Sequence, residues 1–249
     1  MQKTMTERIS GGGQRRSLSE EGFTLAEVLI TLGIIGIVAS MTLPTIVQKY
    51  RNHVVETRLK KFYTIFNQAI RLAEAEYGDK KDWFIDASGV DLDEDGNPIE
   101  DSAKIDLWFK TYLSNFIVLN KKIDTRGQIL YYLADGTAFQ LGTDGNPSLR
   151  DILFYPGNPE KCVGSLNETR GVCAFWFEYC PSCAGGDWKF LYDKGLEPGK
   201  YAWDGTLNDL LHDSLRGCAE VAQGGNYCTA FIQYNGWKIT KDYPRKVRY

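Results

Sequence analysis

One run of residues constrains this chain more than any other. From Phe23 to Val47 it is uncharged and mostly apolar, except for Glu27. As a helix the run would be about 37 Å long, at about 1.5 Å per residue. That is enough to cross a bilayer core of roughly 30 Å with modest tilt. A carboxylate inside such a segment is costly and marks function, with a partner to be found. Glu27 stands four residues after Phe23, where an ordinary anchor has no use for an acid. The pattern predicts a membrane helix whose first turn has a task.

The remainder of the chain is long enough for one globular domain, and the formal net charge of -3 gives no reason to expect a nucleic acid partner. All six cysteines lie between Cys162 and Cys228, which points to an oxidising compartment. The only histidines are His53 and His212, which removes many catalytic and metal-site schemes. Lys3, Arg8, Arg15 and Arg16 precede the apolar run, so the leader should stay cytoplasmic. Lys49, Arg51, Arg58, Lys60 and Lys61 follow it and pull the other way. The cysteines decide for export. A cleaved secretory signal fits poorly, because the run exceeds the usual apolar core and Ile37–Met41 is a weak cleavage site.

Gly22-Phe23-Thr24-Leu25 with Glu27, followed by Val28 to Ile37, resembles the N-terminal signature of type IV pilins and type II secretion pseudopilins. The resemblance covers about residues 15–75. It implies cleavage between Gly22 and Phe23 by prepilin peptidase, N-methylation of Phe23, and polymerisation into a filament. Pro44 falls where many members carry a helix-bending proline, and a bend or local melting is expected there. The family's carboxylate at the position of Glu27 pairs with the terminal amine of a neighbouring subunit. The first turn suits an anion in any case, through the helix dipole. Implied partners are other pilin or pseudopilin subunits, the inner membrane and the assembly platform. The implied location is a single-pass inner-membrane precursor with its head outside the cytoplasm. The filament, a type IV pilus, a pseudopilus or a DNA-uptake structure, would lie in the periplasm or at the cell surface.

The expected organisation is a leader at 1–22, a transmembrane and assembly helix at 23–47, its amphipathic continuation at 48–77, and a disulfide-linked head at 78–249. The fold class is α+β, with the helical spine packed on an antiparallel sheet. Leu59, Phe62, Phe66, Ile70 and Ala73 recur at spacings of three and four, one face for a sheet to cover. Residues 78–101 read as an acidic loop, and Ile105 to Phe116 as a second amphipathic helix. Residues 128–134 and 137–141 read as strands joined by a turn at Asp135-Gly136. Asp144–Pro147 is a further turn, and strands follow at 151–155 and 172–178. Short helices are expected at 206–216, ended by Gly217, and at 227–234.

Asp91, Asp93 and Asp95, with Gly96, match the start of an EF-hand loop, but Ser102 stands where a bidentate glutamate belongs. Calcium and a plain solvated acidic turn are the two readings, and the turn is preferred. No cofactor is required by any other motif. Cys162, Cys173, Cys180, Cys183, Cys218 and Cys228 allow fifteen pairings. Nearest neighbours are the expected pairs, and Cys218–Cys228 resembles the C-terminal closure of many pilins. Cys180-Pro-Ser-Cys183 invites a redox reading, although thioredoxin-type chemistry wants its first cysteine opening a helix. A zinc site is the other alternative. The aromatic stretches 175–179 and 236–239 suit core packing better than adhesion.

The preferred function is therefore a structural, non-enzymatic prepilin-like subunit. The alternatives are a membrane-anchored extracytoplasmic redox or binding domain using Cys180 and Cys183, and an adhesin displayed on a pilin stem.

Overall fold

The computed structural model describes residues 22–83, 89–97, 99, 102–125, 128–142, 149–219 and 224–249. The leader charges and the turn expected at Asp144–Pro147 lie outside them. The chain divides into two compact units, Met1–Thr45 and Ile46–Tyr249. One helix, α1 (Leu25–Tyr77), contributes to both. It is followed by α2 (Lys104–Tyr112), β1 (Leu119–Thr125), β2 (Gln128–Leu133), β3 (Ala138–Gly142) and β4 (Arg150–Tyr155). Then come α3 (Leu166–Thr169), β5 (Phe175–Tyr179), β6 (Glu197–Pro198), α4 (Leu207–His212) and α5 (Cys228–Tyr234).

The six strands form one antiparallel sheet in the order β1-β2-β3-β4-β5-β6. A long helix packed on such a sheet is the α+β, pilin-like organisation. The buried face of α1 carries Leu59, Phe62, Phe66, Ile70 and Ala73, the stripe that the spacing predicts, and extends it back to Val55. Phe62 lies at its centre, with ring centroids 4.3 Å from Phe154, 5.4 Å from Phe177 and 5.5 Å from Phe139. Close aromatic pairs add about 0.5–1.5 kcal/mol each beyond area burial, so this junction anchors helix to sheet.

Polar ties fix the rest. Gly136 turns the β2–β3 hairpin at φ +79°, a conformation that glycine adopts without strain. Asp135 accepts from the Thr137 amide and hydroxyl and pairs with Lys61 of α1 at 2.6 Å. Burial pushes its carboxyl up, but these bonds outweigh it and hold the pKa at about 2. Asp106 of α2 is buried and accepts from Lys110, Lys122 and Tyr131, at 2.6, 2.8 and 2.6 Å. That cluster pins α2 to the sheet. Near the C-terminus, Glu56 accepts from the Ile239 amide and Lys238, and the Val247 carbonyl accepts from Gln48. The tail is thereby strapped along α1.

Three expectations are corrected. Of the bend or local melting expected at Pro44, the melting is corrected, because α1 runs without a break through it. Proline removes only its own bond to the carbonyl four residues back, and the flanking turns keep theirs. The strand expected at 172–178 starts only at Phe175, because Val172, Cys173 and Ala174 donate their amides to the Thr169 carbonyl in a turn. The helix expected to reach Gly217 ends at His212, where Asp213 accepts from the Leu215 and Arg216 amides. β1 and β6 are additional strands.

Candidate functional site

The start of α1 is built by two side chains. Thr24, just ahead of the helix, accepts from the Glu27 amide through Oγ1 at 3.2 Å. Glu27 Oε2 accepts in return from the Thr24 amide and the Thr24 hydroxyl, each at 2.8 Å. This is a capping box, which satisfies amide groups that a helix start leaves without partners. Sequence reasoning placed Glu27 in the first turn but missed Thr24, although the Thr-x-x-Glu spacing was there to be read. Glu27 Oε1 has no hydrogen-bond partner among the described residues. One oxygen thus organises its own helix, and the other is free for an external donor.

Phe23 is 87% exposed, and the apolar residues after it lie open in this single chain. Among the described residues α1 is the one helix long and apolar enough to cross a membrane. A Cβ added at Gly33 or Gly36 would meet nothing within 4 Å. The two glycines leave shallow places on the helix surface where another helix could approach closely.

Residues 18–43 match the prokaryotic N-terminal methylation motif, which is the type IV pilin and pseudopilin signature. Residues 45–247 match the family of unknown function DUF6613. The chain belongs to that family. No curated protein and no solved structure matches it. The DUF6613 region begins within one residue of the compact unit Ile46–Tyr249. The motif supports a pilin-like prepilin subunit, a structural role, and implies a processing peptidase and assembly with other pilin subunits. The motif and the long apolar helix together fit membrane anchoring.

The remaining candidate residues are not gathered into a second centre. Asp91, Asp93 and Asp95 are exposed. Asp93 spends its oxygens on its own turn, accepting from the Asp95 and Asn97 amides at 3.0 and 2.8 Å and from the Asn97 side chain. The Asn97 amide bond is the chief reason its carboxyl stays below the usual carboxylate range. Among the described residues no group of three or more histidine, cysteine or acidic side chains is placed to hold a metal ion.

The cysteines pair in chain order, Cys162–Cys173, Cys180–Cys183 and Cys218–Cys228. Cys180 is fully buried at the end of β5 and opens no helix. The thiolate-stabilising setting of a redox motif is missing there. With all six in disulfides, no cysteine sulfur is left as a zinc ligand. Phe175, Phe177 and Tyr179 are buried, so 175–179 is mainly core, whereas in 236–239 Trp237 and Ile239 are half-buried and pack against the core, Trp237 on Tyr63 at 4.9 Å. Sequence reasoning also missed Glu178, a carboxylate only 1% exposed on β5. Nothing in its local pattern distinguishes it from a strand residue facing water.

Proposed function

We propose that this chain is a prepilin-like structural subunit, cut between Gly22 and Phe23, N-methylated on Phe23, and assembled through α1 into an extracytoplasmic filament. The methylation motif at the head of a long, apolar, exposed helix carries this reading. Before cleavage the apolar segment holds the chain in the inner membrane with its disulfide-linked part outside. After cleavage Phe23 becomes the amino terminus, one residue ahead of the capping box. The free Oε1 of Glu27 can then take the ammonium of a neighbouring copy while Oε2 keeps the helix capped. Once such a pair is buried among apolar helices, losing one partner costs about 3–5 kcal/mol. A slipped register is excluded by that penalty. The same chemistry serves a pilus, a pseudopilus or a DNA-uptake filament.

Intact-mass spectrometry of membrane-derived protein tests the processing steps. The expected species begins at Phe23 and carries one added methyl group. An uncut leader, or cleavage after Ala39, overturns the proposal. Two variants separate the charge of Glu27 from its capping role. Glu27→Gln keeps a capping acceptor and removes the charge, so it should insert normally but fail to enter filaments. Thr24→Val weakens the cap by about 1 kcal/mol and keeps the charge, so it should still assemble. The reverse ranking would refute the charge-pairing role.

A further inference from the structure

A groove on the Ile46–Tyr249 unit is not used by anything described above. A cavity of about 520 Å³ is lined by Leu166, Asn167, Arg170, Leu215, Arg216 and Asn226. It adjoins a second of about 240 Å³ that shares Leu166 and Arg170 and reaches Asp151 and Trp176. The floor is cationic. Arg170 donates to Asn226 and lies over the Trp176 ring at 5.3 Å, and its Nε has no acceptor. Among the described residues no carboxylate lies within ion-pair distance of Arg170, and the Asp151 charge in the adjoining cavity offsets it only from further off. Arg216 lies over the Tyr201 ring at 4.9 Å, and its one ion pair, with Asp213, is long at 3.9 Å. The lips are apolar, with Leu166 57% and Leu215 49% exposed.

The same unit carries a matching projection. Asp91, Glu94 and Asp95 are exposed and have no ion-pair partner among the described residues, while Leu92 and Ile99 leave apolar surface beside them. The loop is tied to the C-terminal end of α1. The Gly89 carbonyl accepts from the Lys104 amide of α2, and Asn115 just after α2 donates to Tyr77. Trp83 donates to the Gly78 carbonyl. The groove is tied further back. Tyr243 donates to the Gly171 carbonyl and the Arg248 amide to Val172, and this tail is strapped to Gln48 and Glu56. From Glu56 to Tyr77 is about 30 Å of helix at 1.5 Å per residue. The two patches are opposite in charge, alike in apolar content and displaced along the helix axis. Two distinct patches displaced in this way can meet head to tail, and such a contact passes from copy to copy when its rotation does not close.

We infer that the Arg170–Arg216 groove of one subunit receives the Asp91–Ile99 loop of the next copy of the same chain. This rests on the filament reading above, and it adds a contact between heads to the contact between helices. Opposite charges set partner and register, and the leucine lips cover Leu92 and Ile99.

Filaments sheared from cells that make the full chain test the contact. Glu94→Lys with Asp95→Lys, and separately Arg216→Glu, should each lower filament recovery at least about tenfold, the scale of a close charge pair. Combining them should restore most of it. A second measurement does not depend on those charges. Leu92→Cys with Leu215→Cys in one chain should give a ladder of multimers on non-reducing gels, absent from either single variant. Normal recovery in the charge variants together with no ladder overturns the groove contact while wild-type filaments leave the filament reading standing. Absence of wild-type filaments overturns both, and a crosslink to a different protein overturns the choice of partner.

Discussion

Glu178 gives the clearest test of how this head is built. It lies on the face of the sheet opposite α1, in register with Asp151 of β4 and Glu197 of β6. Burial pushes its carboxyl up to about 8, and the Asp151 charge pushes the same way. Amides of Lys200 and Tyr201 act against it, the first at 2.8 Å. Its ordinary value is 4.5. Between that pH and about 8 the folded chain holds a proton that the unfolded chain has released. Stability from this group is therefore full below pH 4.5 and is lost as the pH rises to about 8. At about 1.4 kcal/mol for each pH unit between the two values, the loss amounts to about 3–5 kcal/mol. Glu178→Gln stays neutral throughout and keeps an oxygen for the Lys200 amide. Urea unfolding of the detergent-solubilised full chain, followed by tryptophan fluorescence, should show the variant gaining on wild type from pH 5 to 8. Other titrating groups cancel in that difference. Parallel curves, or a wild type that gains on the variant as pH rises, would refute the burial argument.

Two further outcomes follow from the same structure. Replacing Cys218 and Cys228 together by serine should cost about 2–4 kcal/mol of unfolding free energy in denaturant titrations. The same change at Cys180 and Cys183 should cost less, because that bridge spans only 3 residues against 10. Millimolar calcium should leave the melting temperature unchanged in thermal scans, since Asp93 already has its oxygens occupied by Asp95 and Asn97.

Where local pattern and long-range packing agree, the fold could be read before the structure. The Leu59 to Ala73 stripe repeats with the helical period because one side of α1 must be covered. Asp135-Gly136 announces its hairpin because glycine there meets the turn's left-handed backbone. β1 escaped notice because Leu119–Thr125 is polar, as an edge strand with one neighbour is free to be. β6 is two residues long, and its pairing is set by β5 rather than by any preference of Glu197-Pro198. Glu178 is harder still. It is buried by the chain that follows β6, including the Lys200 and Tyr201 amides that bind it, and no local window holds that information. At the N-terminus Glu27 was legible because a charge inside an apolar run stands out. Thr24 was less so, because a hydroxyl beside apolar residues is ordinary until its bonds to Glu27 are seen.

The two parts of α1 meet different demands, and the difference bears on what makes assembly specific. From Val55 to Ala73 the sheet supplies the cover, and burial of Phe62 and its neighbours stabilises the head within one chain. From Leu25 to Val47 the described residues supply almost no cover, and an exposed apolar surface of that length calls for lipid or other helices. Exchanging lipid for a neighbouring helix gains little hydrophobic free energy, because acyl chains are as apolar as leucine. The greasy segment alone therefore drives insertion but does not choose a partner or a register. In the filament proposed above, those choices would come from features that lipid cannot satisfy: the open Oε1 of Glu27, close approach at Gly33 and Gly36, and charge matching between heads. Removing apolar bulk along Ile30–Ile37 should then weaken anchoring before it scrambles register, whereas removing one charge should scramble register and leave anchoring intact.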